Sequence, residues 1–219
     1  MAAERVYEDE AVVIERLANL GPLSNNAYLL RARAGGSVII VDAPEGSEAI
    51  LEALGDANAA GVILTHSHRD HWGGHEVLRG RIAGPFFAST AEVNLDAVEG
   101  SGLVVRLDDG EPFTFDGVPV QIIHTPGHTP GSMCLRVGGA LLTGDTLFPG
   151  GPGYSRSHEA LLEEIESITT RLYPLGDELL VLPGHGDSTT VGASKAEYAV
   201  FASKEHAPDL KGDVLWAES

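Results

Sequence analysis

Cysteine is nearly absent from this 219-residue chain. Cys134 stands alone, so no disulfide can form within the chain, and nothing points to an oxidising compartment. Positive charge is scarce too: 14 Lys and Arg face 32 Asp and Glu, for a net charge of −18. Such a surface repels polyanions, so DNA, RNA and anionic membranes are poor partners. Fixed divalent cations can reverse the field locally, which leaves room for one small anionic ligand. Long apolar runs are missing, since no window approaches the ~18 uninterrupted apolar residues of a membrane span. The opening MAAERVYEDEAVVIERLANL carries acidic residues where a signal peptide needs an apolar stretch, so a cytoplasmic location is expected. No linker, repeat or low-complexity tract interrupts the chain, and a single domain over residues 1–219 is expected.

Glycine, by contrast, is plentiful at 27 residues and sits mostly in short loops between apolar runs. Residues 11–17, 27–32 and 37–42 read as an opening set of strands. Residues 45–57 carry apolar side chains at 49, 50, 53 and 54, a helical spacing that stops near Gly55. Residues 61–65 form a buried-type strand, 75–79 a short helix, and 82–88 another strand. Thr90 is placed to cap a helix over 90–98. From 102 to 125 the pattern is hairpin-like, with turns at Asp108-Asp109-Gly110 and Asp116-Gly117. Another hairpin joins 133–137 to 140–142. Ser157–Leu172 is the clearest helix, with Leu161, Leu162, Ile165, Ile168 and Leu172 on one face and Glu164 among the acidic residues placed mostly elsewhere. A strand over 178–182 and a helix over 193–204 finish the chain. The expectation is an α/β layered fold with sheets packed inside helices.

Residues 63–75, ILTHSHRDHWGGH, place four histidines and an aspartate within ten residues. His66 and His68 are two apart, just past a strand end, and extended backbone aims both imidazoles to the same side. Asp70 and His71 follow once the chain turns, which Gly73 and Gly74 permit. Any one of these histidines alone reads as a solvated loop residue or helix cap. Four metal-competent groups in six residues read as a metal site. Zinc takes about four ligands and two ions take more, so further donors are required. Three strand ends supply candidates: His128 in HTPGHTPGS, Asp145 in LTGDTLF and His185 in PGHG.

With these motifs in this order, the sequence resembles the metallo-β-lactamase-fold superfamily over about residues 12–186. That resemblance implies a four-layer αβ/βα sandwich with a two-metal site at the sheet edges. By the same resemblance, His66, His68 and His128 hold one metal, Asp70, His71 and His185 hold the other, and Asp145 bridges both. The best-known class B β-lactamases carry a cysteine ligand near the place of Asp145, whereas Cys134 lies in a strand and reads as core. The wording TPGHTPGS, TGDTLF and PGHG resembles glyoxalase II, the hydroxyacylglutathione hydrolases, in its short bacterial form. Full-length glyoxalase II continues into a helical region whose basic residues hold glutathione. Here 33 residues follow Gly186, with lysines at 195, 204 and 211 and no arginine.

The implied function is a metal-dependent hydrolase of thioesters or esters, with a small-molecule acyl substrate and two divalent ions, zinc first and iron or manganese as alternatives. Two cations bring the pKa of a bridging water towards neutrality, to about 7 in single-zinc precedents, and so supply a hydroxide. One ion polarises the acyl carbonyl, and Asp70 can orient the hydroxide. A lactonase would use the same seven ligands. A persulfide dioxygenase would use one iron held at His66, His128 and Asp145, but that group carries Gly-Arg-Thr-Asp where this chain reads Gly153-Tyr154-Ser155-Arg156. A nuclease suits neither the charge nor the absence of a basic patch, and a non-catalytic metal-binding protein is the plain alternative. His75 reads as a surface residue at a helix start. His124 reads as either support for the ligands or a core histidine, Asp42 as a buttress for them, and Trp72 as packing under the loop. Tyr154 and Arg156 read as exposed loop residues or substrate contacts. His158 and His206 have no supporting context.

Overall fold

The computed structural model describes residues 3–82, 84–93, 95–100 and 104–218. In the first half of the chain, strands line up in the order in which they occur. β1 (Glu4–Glu8), β2 (Val12–Leu20), β3 (Asn25–Ala32) and β4 (Val38–Val41) pair antiparallel. α1 (Glu48–Leu54) then carries the chain to β5 (Ala59–Ile63), and α2 (His75–Arg79) to β6 (Phe86–Ser89). α3 (Asp96–Gly100) precedes β7 (Val104–Leu107). β5, β6 and β7 join in parallel and complete a seven-stranded sheet, and parallel neighbours need such crossovers.

The second half builds a second sheet. β8 (Pro112–Phe115), β9 (Val118–His124), β10 (Met133–Val137) and β11 (Ala140–Gly144) run antiparallel. A small ribbon, β12 (Leu147–Phe148) with β13 (Gly151–Pro152), stands apart from it. α4 (His158–Ser167) then leads to β14 (Leu180–Pro183), which lies parallel to β11. β15 (Thr189–Thr190) closes this six-stranded sheet, and α5 (Val191–Ala202) follows, its first turn capped by Thr190 Oγ1 accepting from Ala193 N at 3.1 Å.

Strand alternation sorts the apolar side chains into three cores. Ile39 and Val41 face Ile122, Leu135 and Leu142 between the sheets. Val38 and Ile40 face the other way, against Ile50, Leu54 and Leu78 of α1 and α2. Ile123, Cys134, Leu141 and Val181 pack against Leu161, Ile168 and Phe201 on the far side. Each such fully buried aliphatic side chain contributes about 1.5–3 kcal/mol. The result is helix, sheet, sheet, helix, the αβ/βα sandwich that the resemblance implies.

Several local expectations are corrected. Leu103 and Gly102 fall outside the described residues, and the rest of LVVRL forms no hairpin with PFTF. β7 stays in the first sheet beside β6, and the chain crosses between sheets before β8. Of the two turns read between 102 and 125, the one at Asp116-Gly117 makes a hairpin, with φ of 44° and 80°. Thr90 caps nothing: its hydroxyl donates to Asp108 at 2.8 Å, and α3 begins at Asp96. In the long helix, Leu162 is 52% exposed while Glu164 is fully buried. Glu164 lies three residues after Leu161 and four before Ile168, which puts it on the buried stripe itself. Beyond Ser167 the helix continues only as a π turn over Ile168–Leu172.

Candidate metal centre

The seven candidate ligands of the sequence motifs emerge in loops that follow strand ends, at one edge of the two sheets. His66 follows β5 by three residues, and Asp70 and His71 lie in a single 3-10 turn, Arg69–His71. His128, Asp145 and His185 leave the ends of β9, β11 and β14. The structure brings all seven together. His128 Nε2 stands 2.8 Å from His68 Nδ1, and His71 Nε2 stands 3.3 Å from His185 Nε2. Asp70 Oδ2 is 3.3 Å from both of the latter nitrogens. Asp145 reaches both sides: Oδ1 is 3.3 Å from His71 Nε2, and Oδ2 is 3.5 Å from His185 Nε2 and 3.8 Å from His128 Nε2.

The outer face of each ring explains why the inner nitrogens converge. His128 Nδ1 donates to Tyr154 O at 2.9 Å, His71 Nδ1 to Asp42 Oδ2 at 2.8 Å, and His185 Nδ1 to Leu23 O at 3.0 Å. With the Nδ1 protons fixed outside, each Nε2 points inward, the orientation that metal-binding histidines require. Asp42 holds this position in a left-handed backbone, φ 63°, which aspartate tolerates better than most residues. Its Oδ1 also accepts from Thr65 N at 2.8 Å, fixing the start of the histidine loop. The buttressing role read for Asp42 is thus visible in its contacts.

Clustered charge shifts these groups strongly. Burial works to lower His71, but Asp145 and Asp42 overcome it and hold the ring well above the ordinary imidazole range. Burial also opposes His185, yet hydrogen bonds to Asp145 and Asp70 carry it up to about 9. His128, with burial dominant, is pushed down to about 4, and burial likewise drives His66 well below its usual value. For Asp145, burial is outweighed by the His71 charge and by hydrogen bonds from His185 and His71, and its carboxyl drops well below the usual range. The carboxylates create a strong demand for positive charge.

Side chains that the sequence does not single out complete the setting. Asn25 Nδ2 donates to Asp70 Oδ2 at 2.8 Å. Tyr28 Oη donates to Pro183 O at 2.6 Å, and Asn26 Nδ2 donates to Pro183 O and Gly186 O at 3.0 and 2.9 Å. These bonds clamp the loop carrying His185 from the opposite sheet. Gly184 in that loop has no room for a side chain: a Cβ would run into Asp145 Oδ1 and stand 2.6 Å from His71 Cε1. Glu164 Oε1 accepts from Gly153 N at 3.1 Å, under the loop whose Tyr154 carbonyl orients His128.

Other histidines stay outside the cluster. His75 is buried rather than on the surface, at 5% exposure, packed against Trp72 and Phe86. His124 joins the two sheets through Ser89 Oγ at 3.0 Å. His158 and His206 bond to the Leu210 and Phe201 carbonyls. Trp72 donates to Ser67 O at 2.9 Å, beneath the histidine loop as expected. Cys134 is buried in the core as expected. Arg156 Nη2 lies 2.8 Å from His68 Nε2, and Tyr154 is 54% exposed at the rim.

A family profile described as the metallo-beta-lactamase superfamily matches residues 20–185. The chain belongs to this superfamily. An uncharacterized protein of Mycobacterium tuberculosis is 34% identical over 80% of this chain and 92% of its own length. A hydroxyacylglutathione hydrolase of Aeromonas hydrophila is 32% identical over 82% of this chain and 68% of its own. Among solved structures, TTHA1623 in a di-iron-bound form superposes with a TM-score of 0.66, at 28% identity, covering 82% of this chain and 96% of that one.

In this superfamily member the donor atoms fall into three groups: His66, His68 and His128; His66, His71 and Asp145; and Asp70, His71 and His185, each within 4.8 Å. Ligand atoms about 2.0–2.2 Å from a tetrahedral zinc stand roughly 3.3–3.5 Å apart, close to the spacings between these groups. One buried atom of the cluster, His66 Nε2, has no hydrogen-bond partner among the described residues. A buried ring nitrogen left in that way has a reason to exist if a cation satisfies it. Imidazole and carboxylate together suit a divalent metal.

Proposed function

We propose that the chain is a metal-dependent hydrolase of thioesters. In this reading His66, His68 and His128 hold one divalent ion, Asp70, His71 and His185 hold a second, and Asp145 is shared. Zinc suits the nitrogen and oxygen donors best, with iron or manganese as alternatives. The observation that carries the reading is the outward anchoring of His71, His128 and His185, which turns their Nε2 atoms into the cluster beside an open cleft. The di-iron form of TTHA1623 supports two ions, and the Aeromonas relative's name supports a thioester bond.

Bound divalent ions supply a nucleophilic water near neutral pH and charge stabilisation for an oxyanion. The chain's own residues do the rest. Asp70, fixed by Asn25, presents its carboxylate at the cluster and can orient the attacking water and accept its proton. Water adds to the acyl carbon, the carbon–sulfur bond breaks, and the products are a carboxylic acid and a thiol that regains the proton. An ester or lactone offers the same carbonyl, so the site serves a lactonase equally well in geometry. The net charge favours a small acyl substrate over a nucleic acid.

The test is a panel of thioesters, esters and lactones, run on protein with its metal quantified beforehand. Thioester hydrolysis lost on chelation and restored by Zn, Mn or Fe, with two ions per chain, is the expected result. Hydrolysis indifferent to chelators, or confined to lactones, overturns it.

A further inference from the structure

Beside His128, Asp145 and His185 lies a cleft of about 330 Å³, the lower end of the range for small-molecule sites. One wall is the β12–β13 ribbon with the loop after it, contributing Phe148, Pro152 and Tyr154. The opposite wall is the C-terminal segment, contributing Asp213, Val214 and Leu215. That segment is built in rather than draped. Trp216 is buried in the outer core and its amide donates to Gly150 O at 2.8 Å. Gly212 and Ser155 exchange backbone hydrogen bonds of 3.0 and 3.2 Å. Both walls therefore stand preformed.

The lining has a clear chemistry. Among the described residues that form it, Asp213 is the charged group beyond the cluster itself, and no lysine or arginine takes part. Arg156, two residues past Tyr154, is turned onto His68 instead. Large apolar side chains are exposed at only a few places among the described residues, and three of them ring this site: Leu23 at 62%, Tyr154 at 54% and Leu215 at 46%. Leu23 belongs to the loop whose carbonyl holds His185, on the other side of the cluster. Exposed apolar side chains gathered at a concave site mark a surface that a ligand covers. An acyl chain with a terminal carboxylate meets a like charge here and no pairing cation.

Resting on the thioesterase reading, we infer that this cleft takes the acyl chain of a thioester and prefers a medium-length apolar chain to a short or charged one. The acyl chain lies along Phe148, Pro152, Val214 and Leu215, and the Asp213 carboxylate beside them disfavours a chain that carries negative charge. A cleft wall supplied by the last residues of the chain thus acts as the specificity determinant.

Matched esters test this. Hexanoyl, acetyl and adipoyl thioesters of N-acetylcysteamine share a carrier and differ in the length and terminal charge of the acyl group. The expected kcat/KM is at least tenfold higher for the hexanoyl ester than for either of the others. Asp213→Asn narrows the gap between hexanoyl and adipoyl, and Leu215→Asp removes the gain of hexanoyl over acetyl. In parallel, calorimetry with the non-hydrolysable thioethers S-hexyl-N-acetylcysteamine and S-(5-carboxypentyl)-N-acetylcysteamine reads the cleft without turnover. Tighter binding of the neutral thioether, by at least fivefold and lost in Leu215→Asp, supports the proposal even if no thioester is cleaved, in which case the hydrolase reading alone fails. Equal binding of the two thioethers, or turnover of the adipoyl ester as fast as the hexanoyl ester, overturns the cleft proposal while leaving the hydrolase reading intact.

Discussion

Asp42 touches no open space, yet it fixes two parts of the cluster: it accepts from His71 Nδ1 and from Thr65 N. Asp42→Asn keeps a residue that accepts the left-handed backbone and removes the carboxylate behind His71. Metal affinity is expected to fall about 10–100-fold, read by competition with a chelating dye, with little change in fold by circular dichroism. Glu164 gives a different prediction. Burial raises its pKa well above the ordinary 4.5, so the folded protein keeps its proton at pH values where the unfolded chain has lost it. Stability from this group is complete below about 4.5 and declines as pH rises towards the folded value. Glu164→Gln stays neutral throughout, so its Tm should exceed that of the parent by more at pH 8 than at pH 5. A gap that does not change with pH would contradict this. The seven cluster residues were legible from sequence because short motifs at strand ends carry them. Glu164 and Asn25 were not, since one looked like a polar-face glutamate and the other fell outside every motif, just before the strand read over 27–32. Only tertiary packing gives either of them its partner.

At the scale of elements, the two sheets meet through the loop after β14. Tyr28 of β3 donates to Pro183 O, next to the loop that carries His185. Tyr28→Phe keeps the ring in the inter-sheet core and removes that bond, which should cost about 0.5–1.5 kcal/mol in urea denaturation. A larger loss would mean that the ring shifts as well. Most strands and the long helices could be read from apolar alternation and helical spacing. β1 could not, because its residues are largely exposed at a sheet edge and show little alternation. The pairing of β7 was misread because a strand–turn–strand pattern is the same whether the partners share a sheet or not. Choosing between them depends on Leu107 packing between the sheets, a contact that no local window contains.

For the molecule as a whole, a net charge of −18 on 219 residues means self-repulsion in the folded state. Screening relieves it, so Tm is expected to rise between about 10 mM and 300 mM sodium chloride as the Debye length contracts from roughly 30 Å to under 8 Å. An unchanged Tm would show that the acidic groups are already neutralised by local pairing. The described helices include none long and apolar enough to cross a membrane.

The distribution of the cluster along the chain has one more consequence. Each group of donors draws from both sheets: His66, His68, Asp70 and His71 come from the first, and His128, Asp145 and His185 from the second. Neither half owns a complete set. An ion that binds there therefore reports on assembly, because high affinity arises only when the two halves have docked in register. A bound ion would be a clasp between the halves, and its retention under a competing chelator would mark a molecule whose halves have docked.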